Sequence, residues 1–154
     1  MTAVDITAIT GAFPIFLEKP TNFYQLSISV LSSFENTVNF SQAIGLLPKN
    51  KLCIKCKGPL NLVKDSRGDV NRFPVAFRCA NSKCSKKGTY IPLCKNSSFE
   101  GAHIAIGEII ALSYFFINET RNYGFLRREC SLGDDQLLGT ETISDWMTYC
   151  REVC

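Results

Sequence analysis

Four cysteines at a recurring spacing constrain this chain more than any other feature: Cys53-x2-Cys56, then 22 residues, then Cys79-x4-Cys84. A short spacer lets the backbone turn so that two thiolates, each about 2.3 Å from a metal, occupy adjacent corners of a tetrahedron. Two such pairs about twenty residues apart form the pattern of a four-thiolate zinc site. Lys57-Gly58 follows Cys56, and glycine there supplies the backbone freedom that a tight turn demands. Leu60 to Val63 and Phe73 to Arg78 read as short strands, with Arg67-Gly68-Asp69 as the turn between them. Segment 49–95 is therefore expected to be a zinc ribbon, with one structural Zn2+ on Cys53, Cys56, Cys79 and Cys84 in place of a core. Structural zinc contributes roughly 10–16 kcal/mol to small modules, far more than so small a core could. Cys94 is the alternative to Cys84, ranked below it because a nine-residue spacer forms no knuckle.

Disulfides are the competing use of eight cysteines, and the compartment decides between the two. Met1 to Leu17 has no basic n-region, carries Asp5 and lacks a continuous apolar core, so it does not read as a signal peptide. The N-x-S/T triplets at Asn96 and Asn118 then have no consequence. The longest apolar stretch, Ile104 to Ile117, is interrupted by Glu108 and falls short of the ~20 residues a membrane helix needs. The chain is expected to be intracellular, nuclear in a eukaryote or cytoplasmic and nucleoid-associated in a prokaryote, and neither secreted nor membrane-bound. Cys94, Cys130, Cys150 and Cys154 read as small buried apolar residues. His103 is the sole histidine and reads as a first-turn helix residue, so no Ser-His-Asp or Cys-His set can be assembled around it. At 45% apolar and 11% aromatic residues the chain is not a long disordered one, and 154 residues are too few for an α/β barrel of ~250.

Charge is strongly segregated. From Lys49 to Lys95 there are twelve basic residues and two acidic ones, Asp65 and Asp69, whereas the other 107 residues hold five basic and twelve acidic. Four thiolates on one zinc ion would still leave about +8 on this 47-residue segment. Such a block is an electrostatic footprint for phosphate, because each neutralised phosphate releases counterions. Lys55, Lys57, Arg78, Lys83, Lys86 and Lys87 are the expected phosphate contacts.

Beyond the ribbon the pattern is helical. Ser97-Ser98-Phe99-Glu100 reads as a capping box, followed by a nearly all-apolar helix from Ala102 to Ile117 suited to the centre of a bundle. A second helix follows Asn122, with Phe125, Leu126 and Cys130 inward and Arg121, Arg127, Arg128 and Glu129 outward. Ser131 to Thr140 is a loop. Thr142-x-x-Asp145 reads as the cap of a last helix, in which Ile143, Trp146, Met147, Cys150, Val153 and Cys154 share one apolar face. Three helices ending in one with small polar residues near its start form a helix-turn-helix-like arrangement. Ser144, Thr148 and Arg151 would then probe base edges while Arg127 and Arg128 grip the backbone. Upstream, Ser33 to Leu47 supports an amphipathic helix ending near Gly45, with Phe34, Val38 and Ile44 as core candidates. The expected class is α+β: an N-terminal segment with one helix (1–48), the ribbon (49–95) and the helical domain (96–154).

This order of parts has a resemblance. Ile44-Gly45-Leu46-Leu47 runs into Cys53-Ile-Lys-Cys56; Phe77-Arg78-Cys79, Lys83-Cys84-Ser85-Lys86-Lys87 and Ser98-Phe99-Glu100 follow, and Trp146 to Cys154 closes the chain. From about Ser33 to Cys154 it resembles the N-terminal region of Merlin-superfamily cut-and-paste DNA transposases, relatives of bacterial insertion-sequence enzymes. The resemblance implies recognition of terminal inverted repeats, with double-stranded DNA as partner and homodimerisation as an open option. It also implies a following domain with a carboxylate triad and divalent metals. No three carboxylates here sit in a setting to clamp two metal ions. The chain is accordingly expected to be a recognition half without enzymatic activity, the alternative being a protein-interaction or dimerisation module of the same origin.

Overall fold

A computed structural model describes residues 22–64, 75–84, 90–132 and 136–153. Among these residues the fold is mixed α+β, with five helices and a three-stranded antiparallel sheet. The chain divides into two compact units, Met1–His103 and Ile104–Cys154.

In the first unit, α1 (Phe23–Ser29) starts at Asn22, whose side chain accepts a hydrogen bond from the Gln25 amide at 2.9 Å. The sequence reading did not anticipate this helix. It has two turns, and Ser27 and Ser29 hydroxyls bond back to carbonyls one turn earlier, so no apolar period stands out. The expected helix downstream is α2 (Phe34–Ala43), capped by Ser33. Thr37 Oγ1 donates to the Val30 carbonyl at 2.9 Å, joining α2 to the end of α1. The helix stops where Gly45 takes a left-handed φ of 81°, and the Leu46 and Gly45 amides reach back to the Ser41 and Gln42 carbonyls. Val38 is buried as expected and Phe34 half so, but Ile44 is 53% exposed because it sits in that terminating turn.

The sheet runs β1 (Leu60–Lys64), β2 (Val75–Cys79), β3 (Tyr90–Pro92), each strand antiparallel to the next. The predicted turn Arg67-Gly68-Asp69 and Phe73 lie outside the described residues. The second strand reaches Cys79 rather than stopping at Arg78, and β3 was not foreseen, since three residues are too few to display alternation. Ala76 and Phe77, adjacent on β2, are both buried, so the sheet's centre is covered on both faces. Lys51 stands 5.6 Å over the Phe77 ring and donates to the Lys95 carbonyl at 2.8 Å.

The expected capping box at Ser97–Glu100 does not start a helix. Pro92 to Ala102 instead forms successive turns, in which the Glu100 carboxylate accepts from the Asn96 amide at 2.9 Å and pairs with Lys95 at 3.2 Å. Asn96 and Gly101, both with positive φ, break the helical path. His103 therefore lies ahead of the helix, exposed, and not in its first turn.

In the second unit, α3 (Ile106–Ile117), α4 (Tyr123–Cys130) and α5 (Thr140–Val153) pack pairwise against one another. The polar interruptions of α3 have internal partners. Glu108 Oε2 accepts from the Ala105 amide at 3.0 Å, fastening the helix start, and Ser113 Oγ accepts from the Trp146 indole at 3.1 Å. The N-cap of α4 is Asn122, as expected, and Phe125 meets Phe115 edge-on at 5.3 Å. Nine residues join α4 to α5, longer than the three- to four-residue turn of a helix-turn-helix.

The last helix begins at Thr140, so Thr142 lies inside its first turn and does not cap it. Ile143, Met147 and Cys150 are buried and Trp146 half-buried, whereas Val153 is 66% exposed because the helix has run past the body of the bundle. Ser144, expected outside, is half-buried. Cys154 lies outside the described residues.

Candidate metal centre

Each pair of cysteines is delivered by its own turn. Lys57 N donates to the Cys53 carbonyl at 2.9 Å and Cys53 N to the Gly58 carbonyl at 2.8 Å, while a bridge between Leu52 and Pro59 closes the loop beneath them. The left-handed residue in this turn is Lys57, with φ 57°, and not Gly58 as the sequence suggested. Gly58 instead leaves room for sulfur: a Cβ there would stand 3.4 Å from Cys56 Sγ.

Sheet register supplies the third ligand. Leu60, four residues after Cys56, pairs with Cys79, which ends β2. The turn that follows is shaped by Asn81, whose side chain accepts from the Lys83 amide at 3.0 Å and whose carbonyl accepts from the Cys84 amide at 3.1 Å. Its own N–H points to the Cys79 sulfur. Asn81 was missed at the sequence level; asparagine two residues after a cysteine, with its habit of forming local turns, was the available signal.

All four sulfurs lie within 4.8 Å of one another. Cys53 Sγ is 3.9 Å from Cys84 Sγ, and Cys56 Sγ is 3.6 Å from Cys79 Sγ. A tetrahedron of thiolates at about 2.3 Å from its centre has edges of about 3.8 Å. A disulfide would bring sulfurs to ~2.0 Å, and all seven cysteines among the described residues are free thiols. Cys53 and Cys84 are buried; Cys56 and Cys79 are half-buried. The four residues are thus close enough to hold a metal ion.

The Asn81 amide draws the Cys79 thiol downward, but desolvation and the sulfurs of Cys56, Cys53 and Cys84 outweigh it and push it up to about 12. A bound cation would reverse that balance, since a metal deprotonates its thiol ligands outright. Cys94 is buried outside the cluster, its thiol pushed up to about 12 by burial despite the charge of Lys51. Cys84, rather than Cys94, is the fourth member.

The expected phosphate contacts divide. Lys55, Lys57 and Lys83 are exposed on the two turns that carry the cysteines, and Arg78 is half-exposed on β2. Lys86 and Lys87 lie outside the described residues. Among the described residues of segment 49–95, the ion pair is Lys95–Glu100, so the other cations there carry no bonded counter-charge.

In the helical unit the expected nucleic-acid contacts are more committed. Arg127 donates through Nε to the Leu138 carbonyl at 2.9 Å, holding the end of the α4–α5 loop. Arg128 pairs with Glu129 at 2.8 Å on the surface. On α5, Arg151 donates to Thr148 Oγ1 at 3.1 Å and to the Met147 carbonyl at 3.2 Å. No helix among the described residues is long and apolar enough to cross a membrane. The chain matches no protein-family model, no curated protein and no solved structure.

Proposed function

We propose that this chain is a zinc-dependent module that binds double-stranded DNA and has no catalytic activity of its own. The ribbon is built on one structural Zn2+ held by Cys53, Cys56, Cys79 and Cys84, and the three-helix bundle is its helix-turn-helix-like companion. The observation that carries the zinc reading is metrical. Sulfur separations of 3.9 and 3.6 Å bracket the roughly 3.8 Å edge of a zinc–thiolate tetrahedron. Thiolate-only ligation favours zinc over magnesium, calcium or manganese.

The polyanion reading rests on twelve basic against two acidic residues in segment 49–95, with Lys55, Lys57 and Lys83 exposed on the same turns as the ligands. A metal would hold those turns rigid, so the cations would meet phosphates from a fixed frame. The transposase resemblance makes duplex DNA the polyanion of choice. Nuclear localisation and descent from such an element belong to this same proposal.

The deciding experiment is duplex binding by the zinc-loaded chain as a function of salt. Affinity is expected to fall steeply, with log K declining by about 0.9 per decade of salt for each phosphate neutralised. A flat dependence, or no duplex binding at low salt, overturns the DNA reading.

A protein-interaction or dimerisation module is the second reading, and one observation favours it. Leu52 and Ile54, on and beside the first cysteine turn, are 63% and 70% exposed. Apolar side chains on a lysine-flanked turn suit a partner surface. That reading predicts monodisperse oligomers by light scattering and no affinity for duplex DNA.

A further inference from the structure

Within the helical unit, an open cleft of about 590 Å3 is lined by the end of α3, the link that follows it, the start of α4 and one side of α5. Phe116 and Met147 line it with apolar surface, and Tyr123 adds a second aromatic ring. Two guanidinium groups from different elements share it: Arg121, on the link, and Arg151, on α5. Among the described residues the ion pairs are Lys95–Glu100 and Arg128–Glu129, so neither arginine is neutralised by a bonded carboxylate. Glu119 is the one acid lining the cleft, which leaves it a net charge of one positive unit.

Two exposed cations lining one open cleft favour an anion there over a cation. Guanidinium groups present planar forks of N–H donors matched to phosphate oxygens. Arg151 is held in place by bonds from Nε and Nη2 to the Met147 carbonyl and Thr148 Oγ1, which leave three of its five N–H donors for an anion. The apolar and aromatic surface beside these charges suits a flat ring, not a second anion. Glu119 opposes a polyphosphate tail. The volume falls in the range of small-ligand sites, roughly 300–1,000 Å3, with more room than a single phenyl ring would fill.

We propose that this cleft binds a nucleoside monophosphate unit, its phosphate between Arg121 and Arg151 and its base against Phe116 and Tyr123. The unit is either a free nucleotide or the unpaired end of a nucleic-acid strand, which present the same chemistry. None of the residues lining this cleft belongs to the cysteine segment.

The test is an amide-resolved NMR titration of the full chain with AMP, inorganic phosphate, phenyl phosphate and a 5′-phosphorylated single-stranded hexanucleotide. AMP is expected to shift amides of residues 116–123 and 147–151 saturably, with inorganic phosphate and phenyl phosphate at least tenfold weaker. Arg121→Ala and Arg151→Ala, both at exposed positions, should each weaken AMP at least tenfold while the spectrum stays dispersed. Glu119→Gln should strengthen it a few-fold. Tighter saturation by the hexanucleotide than by AMP identifies a strand end as the source; the reverse identifies a free nucleotide. The proposal is overturned by the absence of saturable shifts at these amides, by equal binding of phenyl phosphate, or by arginine variants that bind AMP as the parent does.

Discussion

Cys53 and Cys84 stand 31 residues apart in sequence, yet their sulfurs approach to 3.9 Å in the buried half of the four-cysteine cluster. The contact depends on both cysteine turns and on the β1–β2 register between them. Removing either sulfur takes away one corner of the tetrahedron and strands three thiols in partly desolvated surroundings.

Native mass spectrometry should accordingly find one zinc per chain, lost in Cys53→Ser and Cys84→Ser but retained in Cys94→Ser. Structural zinc supplies roughly 10–16 kcal/mol in small modules. Chelation is therefore expected to abolish the ordered amide signals of the β1–β2 hairpin. Zinc retained by Cys84→Ser and lost by Cys94→Ser would reverse the assignment.

Lys57 holds a left-handed φ of 57° that costs a non-glycine residue about 1 kcal/mol. Lys57→Gly should raise the denaturation midpoint of the metal-loaded chain, whereas Lys57→Val, β-branched at the same position, should lower it. Equal midpoints for the two variants would mean that the turn carries no such strain.

Arg127 and Lys83 should behave differently although both are basic. The Arg127 guanidinium is bonded to the Leu138 carbonyl, and hydrogen bonds from charged groups contribute roughly 1.5–3 kcal/mol. Arg127→Ala should destabilise the helical unit and leave the salt slope of DNA binding unchanged. Lys83→Ala should do the opposite, reducing that slope by about 0.9 and leaving stability unaltered. Urea titration and salt-dependent fluorescence anisotropy on both variants separate the two effects.

Burial pushes the Cys130 thiol from 9.0 up to about 12, with the charges of Glu129 and Glu108 adding to it. A thiol raised in the folded state contributes stability that is complete below pH 9 and is lost as pH climbs toward 12, because only the unfolded chain sheds the proton. Bundle stability should fall by about 1.4 kcal/mol per pH unit in that window from this thiol alone. Chemical denaturation between pH 8 and pH 10.5 should show the decline, and Cys130→Ala should flatten it. A Cys130→Ala slope identical to the parent's would show that the thiol ionises equally in both states.

How far each element was readable depended on how local its cause is. Asn122 declared the start of α4 because an N-cap acts within three residues, and Ile143, Met147 and Cys150 declared the buried face of α5 through helical spacing alone. Ser97 and Glu100 were in register for the same kind of cap but serve a run of turns instead. There Asn96 and Gly101 take positive φ and Lys95 draws the carboxylate aside. Arg127 looked solvated by its place on the helix wheel, and only the return of the α4–α5 loop gave it a carbonyl to hold. Neither α1 nor β3 carried a period long enough to be seen.

By itself, the sequence determined which four cysteines belong together and where the positive charge accumulates. Cysteine spacing dictates turns through covalent geometry, and charge is a property of residue type. Tertiary structure alone decided that Arg127 bonds the Leu138 carbonyl and Lys51 the Lys95 carbonyl. It also brought Arg121 and Arg151 to one cleft. Those outcomes depend on which backbone groups meet across the fold, and such meetings are set by packing between elements that no local spacing encodes.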